Sequence, residues 1–155
     1  MKIGDFLIPE AVRCIATMSP LTKAAVLGII GEVAEEVYGI DGTMAAGALD
    51  KREQASSTGM GEGIALPHAR SPEFDRIVGI FIKLDAPTSF SAPDGLPVDL
   101  LFCIFAPDTN SVDYLQSLGN VARTLRSNTI RENLRQATDP AVMHAILTGE
   151  APRTA

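Results

Sequence analysis

Residues 57–70 read STGMGEGIALPHAR, a run in which Gly59, Gly61 and Gly63 recur at every second position and lead through Pro67 into His68. His68 is one of only two histidines in the chain. A neutral imidazole has an ordinary pKa of about 6.5, so much of it is deprotonated near neutral pH. It can attack a phosphoryl group and hold it as a phosphoramidate. Such a transfer asks the protein mainly for positioning and for donors to the charged oxygens. Candidate donors surround His68 in the sequence. Ser57 and Thr58 carry hydroxyls, and the backbone N–H groups of Gly59, Gly61 and Gly63 are unshielded and suited to an anion-binding concavity. Arg52 and Arg70 supply guanidinium forks that match phosphate. Arg70 follows His68 by two residues, so the two side chains share a face if the backbone is extended. The residues alone leave other readings open: a plain surface or half-buried histidine, and glycines that mark only a bulge or close backbone packing.

Competing chemistries lack their patterns. Dinucleotide binding needs G-x-G-x-x-G opening a helix, and here the spacing is G-x-G-x-G followed by IALPH. Neither a P-loop nor a G-x-S-x-G nucleophile elbow occurs. His144 has no clustered ligands beside it, so no metal is expected, and it reads as a partly exposed helix residue without a role. Cys14 and Cys103 are far apart with no C-x-x-C, and read as small buried hydrophobes in a reducing cytosol.

The elements that must position these groups follow from periodicity and punctuation. VRCIA at 12–16 predicts a first strand. Ser19–Pro20 predicts a helix start, Leu27, Ile30, Val33, Ala34 and Val37 its apolar face, and Gly39 its stop. Asp41 or Thr43 caps a second helix reaching about Lys51. Ile77–Leu84 and Val98–Ala106 predict buried strands joined through a DGLP turn at 94–97. Val112, Leu115, Leu118, Ala122 and Leu125 predict one face of a helix, Ile130 and Leu134 a short one, and Asp139–Pro140 opens a last helix that Gly149 ends. Helices around a buried sheet make a three-layer α/β/α sandwich. Residues 1–150 read as one domain and 151–155 as a frayed tail.

Composition narrows the partners. The 155 residues are 46% hydrophobic and 21% charged, with net charge −6 and no basic stripe, which argues against nucleic acid and suits a basic protein partner. The longest apolar runs fall far short of the roughly 20 residues a membrane helix needs. MKIGDFLIPE lacks the pattern of a signal peptide, so a cytoplasmic location is expected.

REQASSTGMGEGIALPHAR, residues 52–70, resembles the active-site segment of the mannitol/fructose-type enzyme IIA domains of the bacterial phosphotransferase system, and within them most of all the nitrogen-regulatory proteins. APTSFSAPDGLPVDLLFCIFAP at 86–107 and LGNVARTLRSNTIRENL at 118–134 extend the resemblance over nearly the whole chain. It implies the mannitol-type enzyme IIA fold, with a small mixed sheet, and a phosphocarrier rather than a turnover enzyme, needing no cofactor. His68 would accept a phosphoryl group from an HPr-type histidine phosphocarrier, itself charged through enzyme I from phosphoenolpyruvate, and Arg52 would steady the phosphoryl oxygens. Signalling would run through phosphorylation-dependent binding to proteins such as potassium-transport or sensor-kinase systems. Two positions depart from the family pattern. YLQSL places Tyr114 where an H-L-x-x-L histidine often stands, leaving a hydroxyl to donate to a phosphoryl oxygen or to His68, or a ring to pack at the helix rim. Glu62 stands where Asn is frequent, and its carboxylate opposes an incoming phosphate if it points inward. Those departures keep alternatives in view: a binding module of the same fold that has lost phosphotransfer, a sugar-specific (fructose or mannitol) enzyme IIA component, or an enzyme with an independent small-molecule reaction.

Overall fold

A computed structural model of the chain describes residues 1–109 and 111–150. The tail 151–155, expected to fray, lies outside them. The chain forms β1 (Val12–Ile15), α1 (Lys23–Tyr38), α2 (Gly42–Ala55), β2 (Gly59–Gly61), β3 (Ile64–Ala65) and β4 (His68–Arg70). It continues through β5 (Val78–Thr88), β6 (Val98–Ala106), α3 (Ser111–Arg126), α4 (Asn128–Gln136) and α5 (Pro140–Thr148). One mixed sheet runs β1-β5-β6-β3-β2, with β4 also on β6. β5 and β6 are antiparallel, whereas β1 joins β5, and β3 and β4 join β6, in parallel. Helices cover both faces, which gives the expected three-layer α/β/α sandwich. Among the described residues no helix is long and apolar enough to cross a membrane.

The core explains the apolar runs. Ile80, Phe81, Ile82 and every residue from Leu100 to Ala106 are fully buried, as strands covered on both faces must be. Phe6 and Leu7 of the N-terminal strap join them, and the strap is tied down by Gly79 N–H donating to the Phe6 carbonyl at 2.7 Å.

Several boundaries differ from the sequence reading. α1 starts at Lys23, capped by Thr22, whose hydroxyl accepts from Ala25 N–H at 3.1 Å, so Ser19–Pro20 lies outside the helix. Thr22 wins because Lys-Ala-Ala behind it propagates helix at once. α2 is capped by Asp41 and continues past Lys51 to Ala55, since REQA is made of good helix formers and Arg52 donates to the Ser56 carbonyl at 2.9 Å at the helix end. α3 keeps the C-terminal part of its expected stripe, with Leu125 buried and Leu118 and Ala122 packed partly buried against the core, and departs from it in the first turns. It buries Tyr114, Ser117, Val121 and Leu125, while Val112 and Leu115 are 65% and 63% exposed. Burial of Ser117 is tolerated because its hydroxyl donates to the Asp113 carbonyl at 2.7 Å. Cys103 is buried as expected, but Cys14 is exposed on edge strand β1. His144 has a structural task that its helix position did not reveal: its Nε2 lies 2.8 Å from the Leu7 carbonyl, joining α5 to the strap.

Candidate active site

β3 and β4 are two pieces of one strand beside β6. Ile64 pairs with Leu100 and His68 with Ile104, both offset by 36 residues, so the register is unbroken across the gap. Pro67 makes the gap because it has no N–H to give the ladder. Its carbonyl still accepts from Ile104 N–H at 3.0 Å. Leu66, just beyond β3, donates its N–H to the Thr58 carbonyl at 3.1 Å, and its carbonyl is taken by His68 Nδ1 at 2.7 Å. A carbonyl only accepts, so Nδ1 carries the proton and Nε2 holds the lone pair. The sequence thus fixes the tautomer of its own histidine two residues away.

β4 alternates as an extended strand must. Ala69 is buried, while His68 and Arg70 are half-buried on the other face. The Arg70 guanidinium is held by three acceptors: Nε donates to the Pro107 carbonyl at 3.2 Å, and Nη2 to the Thr109 carbonyl at 3.4 Å and to Ser111 Oγ at 3.3 Å. It also stacks on the Tyr114 ring, 4.7 Å from its centre. The Tyr114 ring in turn lies 6.2 Å from that of His68, tilted by 56°. Arg52 arrives from the last turn of α2. His68, Arg52, Arg70 and Tyr114 therefore line one groove of about 720 Å³, together with Lys51. Three cationic side chains and one carboxylate, Glu73, line the groove with the imidazole, in a chain of net charge −6.

Burial is the main reason that His68 titrates below its ordinary pKa; the Leu66 carbonyl opposes that shift, Arg52 adds to it, and Glu53 opposes it. The lone pair on Nε2 thus stays available to lower pH than in a free histidine. Burial pushes Tyr114 upward, against the pull of Arg70 and Arg52, so its phenol keeps its proton.

Ser57, Thr58 and Gly59 line a second groove that shares His68 and Arg52 and has Leu118, Gly119 and Ala122 of α3 on its far side. Both hydroxyls are spent within the protein. Ser57 Oγ donates to the Phe90 carbonyl and accepts from Gly59 N–H at 3.0 Å, and Thr58 Oγ1 donates to the Glu53 carboxylate. A Cβ on Gly59 would sit 2.9 Å from Ala92 Cβ, so close packing already requires that glycine.

Gly61 and Gly63 are not brought to His68. They flank Glu62 in the β2–β3 turn, where all three residues have positive φ (88°, 58° and 77°). A Cβ on Gly63 would lie 2.8 Å from Asp99 Oδ1, beside the Arg135 guanidinium. The turn opens on a separate groove with Asp99, Pro97 and Arg135. Glu62 points there too, its carboxylate 3.9 Å from Arg131 and exposed to solvent, so it does not oppose an anion at His68.

Sequence reasoning missed two residues. Lys51 reads from the sequence as a helix end, and in the structure it lies within α2 and lines the groove. Glu53 is a buried carboxylate whose main partner, Lys23 at 2.6 Å, is thirty residues away, and no local signal announces such a pair.

Residues 13–149 match the family described as phosphoenolpyruvate-dependent sugar phosphotransferase system, EIIA 2. Among proteins of similar sequence, a nitrogen regulatory protein of Bradyrhizobium diazoefficiens is 33% identical over 147 residues, covering 95% of each chain. A nitrogen regulatory protein of Klebsiella oxytoca is 38% identical over 149 residues, covering 96% of this chain and 91% of its own. Among solved structures, the nitrogen regulatory protein IIA-Ntr of Neisseria meningitidis superposes with a TM-score of 0.86 at 30% identity, over 94% of this chain and 99% of that one.

Proposed function

This chain belongs to the EIIA 2 family of the phosphoenolpyruvate-dependent sugar phosphotransferase system and is a phosphocarrier working through a phosphohistidine; from that premise we propose that His68 is the acceptor and that the carrier serves regulation. The observation that carries the assignment is the His68 Nδ1 bond to the Leu66 carbonyl, in a groove with three cations. Nε2 attacks the phosphorus of a donor phosphohistidine. The new P–N bond forms as the donor's P–N bond breaks, and the donor imidazole leaves with the electron pair. The charge that develops on the His68 ring is spread into its Nδ1–H bond, and Arg52, Arg70 and Lys51 offset the negative phosphoryl oxygens. The donor is an HPr-type histidine phosphocarrier.

The regulatory role rests on likeness to nitrogen regulatory proteins over nearly the full chain. The output is binding to a protein target that reads the presence or absence of the phosphoryl group, potassium-transport and sensor-kinase systems being the kinds of target to try. A sugar-specific role is the second reading, because the family itself is described by sugar transfer. The two separate in one experiment. The protein is charged with phosphoenolpyruvate, enzyme I and an HPr-type carrier, with His68→Ala alongside, and the phosphoprotein is then offered a fructose- or mannitol-type EIIB domain. The regulatory reading expects acid-labile phosphoryl on the wild type alone, and its retention in the presence of EIIB. Rapid passage to EIIB favours the sugar-specific reading, and no label at all favours a binding module without phosphotransfer.

A further inference from the structure

Beneath the groove lies a hydrogen-bonded chain that reaches His68 from the protein interior. Lys23 Nζ lies 2.6 Å from Glu53 Oε2, and also 3.4 Å from the Phe90 carbonyl and 4.6 Å from the Phe90 ring centre. Glu53 accepts twice from Thr58, from its N–H at 3.1 Å and from its hydroxyl. The Thr58 carbonyl accepts from Leu66 N–H at 3.1 Å. The same Leu66 residue offers its carbonyl to His68 Nδ1 at 2.7 Å. Leu66 is therefore pinned on its N–H side by Thr58 and on its carbonyl side by His68, and Pro67 between them supplies no N–H of its own. A buried carboxylate is costly unless its acceptor sites are filled, and Glu53 has a cation and two donors within reach.

We infer that Glu53, held by Lys23, is a positioning residue for the phosphoryl acceptor: through Thr58 and Leu66 it holds the His68 ring with its proton on Nδ1 and its lone pair on Nε2. The inference rests on His68 being the acceptor. Glu53 itself touches neither the donor nor the phosphoryl group, because its side chain is only 3% exposed. Outer partners that orient a histidine contribute through geometry rather than contact.

The charged and titratable groups around His68 are Lys51, Arg52 and Glu53 from α2, Arg70 from β4, Glu73 just beyond it, and Tyr114 from α3. Of these groups only Glu53 is changed in the test, and the second variant alters the uncharged Thr58. Glu53→Gln keeps the shape and removes the charge, and Thr58→Val removes one bond to Glu53 and keeps the charge. For both variants and the wild type, ¹⁵N-edited NMR of the imidazole reads the tautomer and titration of His68. Phosphoryl uptake from a charged HPr-type carrier gives kcat and KM. In Glu53→Gln the share of ring protonated on Nε2 rises, the His68 titration moves to lower pH, kcat falls by about ten- to a hundredfold, the range for outer partners of a positioned histidine, and KM for the carrier stays as in wild type. Thr58→Val shows the same tautomer change more weakly with a smaller shift in titration. An unaltered His68 spectrum in folded Glu53→Gln overturns the inference, and so does a loss expressed in KM alone. Should Glu53→Gln fail to fold, Thr58→Val decides by the same spectrum. Failure of the acceptor assignment is separate, since it shows as an unlabelled wild type whatever the tautomer.

Discussion

The guanidinium of Arg70 lies 4.7 Å from the centre of the Tyr114 ring, and that ring lies 6.2 Å from His68. The Tyr114 ring thus links the Arg70 guanidinium to the His68 ring. The ring carries this contact, so Tyr114→Phe leaves stability within about 1 kcal/mol and phosphoryl uptake within about threefold, because the cation still faces a ring. Tyr114→Ala removes a buried aromatic as well and costs about 3 kcal/mol or more. Denaturant unfolding and uptake rates on the two variants check both.

The depressed titration of His68 links folding to pH. The unfolded state takes up a proton near pH 6.5, and the folded state only at lower pH. Stability from this group is therefore complete above about pH 6.5 and is lost as pH falls through the lower folded value. Between pH 7.5 and pH 5 the wild type loses more unfolding free energy than His68→Gln, which cannot titrate. Equal losses in the two proteins contradict this.

The β2–β3 turn makes a test of local strain. Glu62 holds φ at 58°, where a side chain costs about 1 kcal/mol and Asn is tolerated best after glycine. Its exposed contact with Arg131 at 3.9 Å offers little in return. Glu62→Asn therefore stabilises by about 0.5 kcal/mol and leaves phosphoryl uptake unchanged. Gly63→Ala, forced to positive φ against Asp99 and Arg135, costs at least about 1 kcal/mol. Thermal or denaturant unfolding reads both.

The orientation of α3 is tested by a pair of alanines. Val121→Ala opens a space in the core and costs about 2 kcal/mol, whereas Val112→Ala, at an exposed position, stays within about 0.5 kcal/mol. Comparable losses would contradict the burial of Val121 and the exposure of Val112.

That helix shows where the sequence stops being legible. Strands β5 and β6 stood out because burial on both faces demands nearly continuous apolar runs, and α5 because Asp139–Pro140 and Gly149 punctuate it. For α3 the spacing of Val112, Leu115 and Leu118 marks an apolar face, but the first turns bury Tyr114 and Ser117 and leave Val112 and Leu115 exposed, and only from Leu118 on does the marked face pack on the core. The same holds around His68. His68 and Arg70 could be placed together because two-residue periodicity is local, and β4 does hold them on one face. The glycine run could not be divided from sequence alone. Gly59 lines a groove with His68, while Gly61 and Gly63 shape a turn that faces Asp99 and Arg135. Glu53 and Lys23 were silent because their pairing depends on the packing of α1 against α2 and on nothing adjacent in the chain.

The most direct test is to locate the phosphoryl group on the loaded protein. After charging with phosphoenolpyruvate, enzyme I and an HPr-type carrier, ¹⁵N and ³¹P NMR of the phosphoprotein identify the modified nitrogen. The expected result is a single phosphoryl group on Nε2 of His68, with Nδ1 still protonated toward Leu66. A phosphoryl group on Nδ1 or on His144, or none under conditions that charge the carrier, would contradict the account.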